Sequence, residues 1–307
     1  MKSPMKVLPR DLAGAVAVVA GATRGAGRGI AVSLGERGAT VICTGRSVRG
    51  RPATAGRAET IEETAELVTA AGGRGIARRV DHAVPEEVRA LAEAVVTDHG
   101  RVDVVVNDIW GGDSIAEWGT PMWEQSLEKG RAMLESGFFT HVHTAQAFAP
   151  ILVRQGKGLL VEIGDGHTLG YRDCFFFDLV KHSVVRLAYG LAQELRPHGV
   201  TALFVTPGFL RSEAMLDHFR VTEPTWREAI AQDAHFAESE TPRYVGRVVA
   251  ALAADPHVAL RAGQALASGP LAEEYGLEDV DGRTPNWPRY FERTFPDRVA
   301  VVFPPAT

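Results

Sequence analysis

The segment AGATRGAGRGIA, residues 20 to 31, sets glycines at 21, 25 and 27 between an apolar run and a stretch of helical spacing. Glycine permits a tight turn and close backbone approach to a ligand, and the first turn of a helix leaves unpaired N–H groups at the positive end of its dipole. Together these make a seat for a pyrophosphate. A glycine triplet alone is weak evidence; the order strand, loop, helix strengthens it. Two other groups of reactive side chains read differently. His141 and His143 stand two apart on a helical segment and face different directions, a poor metal geometry, so no metal site is expected. Cys43 and Cys174 form no C-x-x-C pair, and Cys43 reads as a small core residue.

Positioning such a loop requires a scaffold, and the rest of the chain supplies its pattern. Apolar runs at 15–20, 40–45, 75–80, 102–107, 158–163, 200–205 and 263–268 alternate with longer segments of helical period, with proline near their starts and glycine after their ends. This alternation predicts a single doubly wound α/β domain with a parallel seven-stranded sheet. Residues 120–156 carry helical spacing throughout. An Arg/Gly-rich insertion at 46–57 and a tail after 270 read as loop-like surface structure, the tail also as a cover for a site or a partner subunit. Residues 208–242 are too long for a simple crossover and read as a lid that sets specificity.

The 307 residues carry 45% hydrophobic and 23% charged side chains and a net charge of −5. This composition is that of a soluble globular protein and offers no basic field for nucleic acid. No apolar run reaches the length of a membrane span and the first residues lack a signal-peptide core, so a cytoplasmic setting is expected.

The loop spacing G-x-x-x-G-x-G resembles the nucleotide loop of the short-chain dehydrogenase/reductase family, and other motifs extend the resemblance over residues 10–268. Asp81 in RRVDHAV resembles the aspartate that binds the adenine amino group, and VVVNDIWGG holds the place of the N-N-A-G turn, with Asn107 kept. VTPGFLRSEAM is similar to the P-G motif that leads from the nicotinamide contact into a mobile lid. The resemblance implies a Rossmann-type domain over 10–270 with the lid inside it, a C-terminal extension over 271–307, a homodimer or homotetramer, and a small-molecule substrate. The expected cofactor site comprises Gly21, Thr23, Arg24, Gly25, Gly27, Arg46, Ser47, Asp81, His82, Asn107, Lys181, Pro207 and Gly208. NADP(H) is the expected cofactor. Where an NAD enzyme carries a carboxylate after strand two to accept from the ribose 2′-hydroxyl, this chain has CTGRS, and Arg46 with Arg24 suits a 2′-phosphate.

The catalytic pattern is only partly present. Lys181 matches the family lysine, whereas Phe177 stands four residues earlier, where the family keeps its tyrosine. The serine position falls on Asp165 or Gly164, and the helix-four asparagine position on Leu134. Three readings follow. The chain is an NADP(H)-dependent oxidoreductase of a carbonyl or alcohol on a medium-sized apolar substrate. Asp165 is then raised toward protonation by an apolar surround of Trp110, Phe175, Phe176 and Phe177, with Tyr171 or His167 assisting. Alternatively, Phe177 is a Tyr-to-Phe change introduced to trap a complex. In the third reading the nucleotide is kept as a scaffold for a non-redox step such as dehydration, cyclisation or isomerisation, or for binding alone. Trp118, Trp123, Phe138 and Phe139 read as core packing or as a pocket wall.

Overall fold

A computed structural model describes residues 12–166 and 170–299. Seven strands form one parallel sheet: β1 (Val16–Ala20), β2 (Thr40–Gly45), β3 (Arg74–Arg79), β4 (Val104–Asn107), β5 (Gly158–Ile163), β6 (Val200–Thr206) and β7 (Ala265–Ala267). Their order is β3-β2-β1-β4-β5-β6-β7. The windings on either side of β1 and β4 run in opposite senses, so a crevice opens beyond the carboxyl ends of these two strands.

Helices cover both faces, which is why β1 is apolar at all five positions rather than at alternate ones. Side chains still sort by parity. Ala17, Val19, Val41 and Val106 pack toward α1 (Gly25–Glu36), α2 (Ile61–Ala70) and α8 (Pro242–Ala254). Val16, Val18, Ile42 and Val105 pack toward α3 (Pro85–His99), α5 (Thr140–Gln155) and α6 (Phe175–Leu195). The helices α1 and α8 touch through glycine: a Cβ on Gly29 would overlap the Pro242 carbonyl, and one on Gly246 the Gly29 carbonyl. This contact holds the helix that follows the glycine loop firmly against the sheet.

Three segments differ from the sequence pattern. The helical stretch at 120–156 is split into α4 (Leu127–Leu134), a π-turn at Glu135–Phe139 and α5. Its widened turn lets Trp110 lie against Gly137, where a Cβ would meet the indole. Residues 208–242, the segment read as a lid, carry α7 (Glu213–Phe219) and a small core of their own, with Phe219, Trp226 and Phe236 buried. The tail, read as loop-like, instead contains α9 (Ser268–Tyr275) and α10 (Trp287–Thr294), the latter capped by Asn286, which accepts from the Arg289 N–H.

The lid and tail are fastened by Arg211, whose side chain is fully buried. Its guanidinium donates to Glu223 at 2.9 Å and Asp281 at 3.1 Å and stacks over Trp226 at 4.1 Å. Arg283 donates to the carbonyls of Ala237 and Ser239, both at 2.7 Å. Such paired, hydrogen-bonded charges are expensive to break because the survivor is left buried. No helix among the described residues is long and apolar enough to cross a membrane.

Candidate active site

A cleft of about 1500 Å³ runs from the glycine loop across the carboxyl ends of the strands to the tail. At one end, β1 turns into α1 through the loop anticipated from sequence. A side chain on Gly21 would overlap the Asp108 carbonyl, and one on Gly27 the Gly21 carbonyl, so both positions require a bare backbone. Gly25 has φ +57° and opens α1. Its N–H donates to the carboxylate of Glu213 on the lid helix α7 at 2.8 Å, so an anionic group lies at this helix start in the protein itself. The N–H of Gly27 donates to Asp108, and burial pushes the Asp108 carboxyl up to about 7, opposed by that amide and by Lys181.

The other expected cofactor residues divide. Thr23, Arg24, Arg46, Ser47, Asp81, Pro207 and Gly208 all line the cleft. Arg46 is half-exposed, 3.9 Å from Asp81, and no carboxylate follows β2. Arg24 donates to Thr54 of the 46–57 insertion at 3.0 Å. Ser47 accepts from the Ala53 N–H at 3.0 Å, closing a small turn in that insertion. Gly208 is held between Trp287 of α10 and Glu240, and a side chain there would meet both.

One expectation needs correction. Asn107 does not line the cleft. The alternation of β4 turns its side chain into the interior, where Nδ2 donates to Glu162 at 2.9 Å. His82 lines the cleft, with its imidazole held between Thr44 and Thr144 at 2.8 Å each, and burial drives its pKa down to about 3. Its ring ties β2 to α5 and stays neutral.

Sequence reading passed over a buried pair under the cleft floor. His141 Nδ1 faces Glu162 Oε2 at 2.5 Å, and Nε2 lies 2.9 Å from the Ile109 carbonyl. Two nitrogens facing two acceptors fix the ring. His143 points elsewhere, to the His82 carbonyl at 3.0 Å.

At the far end, Phe177 is buried against Trp110 (5.3 Å between centroids, edge-on) and Trp118 (4.8 Å). Trp118 therefore belongs to the pocket wall, while Trp123 is exposed. Lys181 extends over the Trp110 ring with Nζ 3.7 Å from its centroid, and Trp110 is oriented by its N–H bond to Asp113 at 2.6 Å. Burial draws the Lys181 pKa below that of an ordinary lysine, against the pull of Asp165, Asp113 and Asp108.

The apolar enclosure expected for Asp165 is not what surrounds it. Its carboxylate pairs with Arg172 at 3.0 Å and is 39% exposed, while Phe176 packs against Gly130 of α4. Tyr171 is exposed at the cleft mouth, and His167 lies outside the described residues. The tail completes the wall with Trp287, Phe291 and Arg298, and the Arg298 carbonyl accepts from the Gly170 N–H at 2.6 Å.

This parallel sheet, with its glycine loop and a lysine facing one cleft, defines a nucleotide-binding α/β enzyme scaffold. The short chain dehydrogenase family profile matches residues 15–222, and the chain belongs to the short-chain dehydrogenase/reductase family. It is 34% identical over 281 residues to the human (Homo sapiens) dehydrogenase/reductase SDR family member 1, covering 88% of this chain and 84% of that protein. It is also similar to the 3-oxoacyl-[acyl-carrier-protein] reductase FabG of Vibrio cholerae, at 27% identity over 83% of this chain and 96% of that protein. A putative short-chain alcohol dehydrogenase from Sinorhizobium meliloti 1021 shares the fold, with a TM-score of 0.69 and 23% identity over 84% of this chain and 96% of that one. The scaffold is that of an oxidoreductase that binds a nicotinamide cofactor.

Proposed function

We propose that the protein is an NADP(H)-dependent oxidoreductase acting on a carbonyl or alcohol of a medium-sized apolar substrate. The observation that carries this reading is the continuity of one cleft, from the glycine-loop amides and Arg24 and Arg46 to Lys181 and an aromatic wall. The donor set suits a dinucleotide: bare backbone at Gly21 and Gly27, an amide at Gly25 already engaged by a carboxylate, and two arginines where a 2′-phosphate would lie.

When bound, the nicotinamide supplies or accepts a hydride. The chain's own part is to bind, orient and manage a proton. Gly21, Gly25 and Gly27 receive the pyrophosphate, Arg24 and Arg46 the 2′-phosphate, Asp81 the adenine, and Pro207 and Gly208 the nicotinamide edge. Phe209, Met215, Trp287 and Phe291 line the substrate end and favour an apolar body. A homodimer or homotetramer belongs to the same reading, supported by the exposed Leu127, Phe139, Leu179 and Tyr189 on α4, the π-turn and α6, and a cytoplasmic setting goes with it.

The test is NADPH and NADH consumption with a panel of ketones and quinones. Turnover favouring NADPH supports the proposal. Firm cofactor binding without hydride transfer to any carbonyl would put the non-redox reading in its place.

A further inference from the structure

Reducing a carbonyl leaves an oxygen that must gain a proton, and Phe177 has none to give. The polar groups around the substrate end are mostly committed. Asp165 pairs with Arg172, and Tyr171 projects from an exposed loop. Both nitrogens of His141 are engaged, Thr140 donates to the Ser136 carbonyl at 3.2 Å, and Asp108 is occupied by the glycine-loop amide. Lys181 differs from all of them. Among the described residues its ammonium makes no hydrogen bond or ion pair and meets only ring faces, Trp110 at 3.7 Å and Phe177 at 5.4 Å. An ammonium carries three donors and no acceptor, and this one lines the cleft with its donors unspent.

Resting on the oxidoreductase reading above, we propose that Lys181 is itself the proton donor and acceptor of the reaction, in the role an oxygen at position 177 would otherwise fill. In reduction the carbonyl carbon gains a hydride from the reduced nicotinamide and the π pair moves to oxygen. One Nζ–H bond of Lys181 breaks, its electron pair staying on nitrogen, and the proton joins the oxygen. The products are an alcohol, oxidised nicotinamide and a neutral amine that water reprotonates. Oxidation is the reverse, with the amine taking the hydroxyl proton.

The surroundings suit an amine that must cycle between its two forms. Indole and benzene faces steady the cation without accepting its proton. Asp165 follows β5, Asp113 follows the turn after β4, and Asp108 comes directly after β4; all three favour the ammonium, while Arg172 and burial oppose it. Burial is the largest of these influences and brings the acid closer to neutrality, where a proton donor works best.

Five lysines occur in the chain, so protein labelled with 13C and 15N at the lysine ends gives a small set of NMR signals, with Lys181 assigned by its loss in Lys181→Arg. Lys181 should titrate below the range of an ordinary lysine, and turnover in the reducing direction should fall as pH rises through the same midpoint. Lys181→Arg, which keeps the charge but cannot release a proton, should lose about 10²- to 10⁴-fold in kcat at saturating NADPH. Primary alkylamines should restore turnover to Lys181→Ala. Titration of Lys181 together with the other lysines, or turnover preserved in Lys181→Arg, overturns this assignment alone. A wild-type protein that transfers no hydride removes the oxidoreductase reading and this proposal with it.

Discussion

Replacing Glu240 with glutamine isolates one buried proton. Glu240 has no solvent exposure and accepts from the Ser268 hydroxyl at 2.6 Å and from the Gly208 amide, while its second oxygen has no partner among the described residues. Burial pushes its pKa from 4.5 up to about 8, against the pull of these two donors. The folded protein therefore keeps this proton where the unfolded chain has released it. Its contribution to stability is full below about pH 4.5 and disappears as pH rises through 8, with a slope approaching about 1.4 kcal/mol per pH unit. Between about pH 6 and pH 9 the loss from this group alone is about 2 to 3 kcal/mol. Glutamine has nearly the same shape, keeps an oxygen for Ser268 and Gly208, and does not titrate in this range. Urea unfolding followed by tryptophan fluorescence, at several pH values and fixed ionic strength, gives the stability of each protein. The variant should gain on the wild type by about 2 to 3 kcal/mol across that range. Asp108 titrates near 7 in both proteins, so its effect cancels in the difference. Curves that stay parallel within about 0.5 kcal/mol would refute the claim that Glu240 is held protonated.

Arg46→Ala should weaken NADPH about 10- to 100-fold while leaving NADH nearly unchanged, because a charge-assisted contact is worth roughly 1.5 to 3 kcal/mol; calorimetric titration with both cofactors checks this, and equal losses reject the assignment. Gly25→Val adds a β-branched side chain at φ +57°, on the side where only Ser212 comes near; both cofactors should lose binding by fluorescence titration while circular dichroism stays that of the folded protein. Phe177→Tyr adds a phenol beside Lys181, whose ammonium favours the phenolate, and ketone reduction should rise by at least about 10-fold in an NADPH absorbance assay.

The sheet was legible because strands buried on both faces read as short apolar runs, and glycine and proline punctuate them. β1 and β2 begin and end within a residue of the sequence reading. The glycine loop was legible for a related reason: its constraints are local, set by backbone conformation and a helix start. The long-range partners were not. Glu213 lies 188 residues from Gly25, and Asp108 lies 81 from Gly27; neither pairing leaves a local trace. Asn107 was misjudged because a motif identifies a residue but not the side of the strand its side chain takes. The apolar surround expected of Asp165 was not legible as wrong because Arg172, seven residues on, folds back to pair with it. The tail looked irregular because α10 is short and its start, TPNWPRYF, reads as a turn until Asn286 is seen capping a helix.

If Gly25 receives the pyrophosphate as proposed, its bond to Glu213 means that the protein carries its own competitor for that seat. The competitor is tethered, so dilution never removes it; its local concentration is set by the short chain between Pro207 and α7. Any anion that takes the Gly25 amide must draw from the fraction of molecules in which the lid carboxylate has swung away, and its observed affinity is its intrinsic affinity scaled by that fraction. NADPH and NADH share the pyrophosphate and would meet the same competition, so in the proposed reading the lid lowers both affinities together and leaves their ratio to Arg24 and Arg46. The position of the lid and the choice of cofactor are thus separate variables in one binding event. The ion pair between Arg57 of the insertion and Asp217 of α7 acts on the first of them alone.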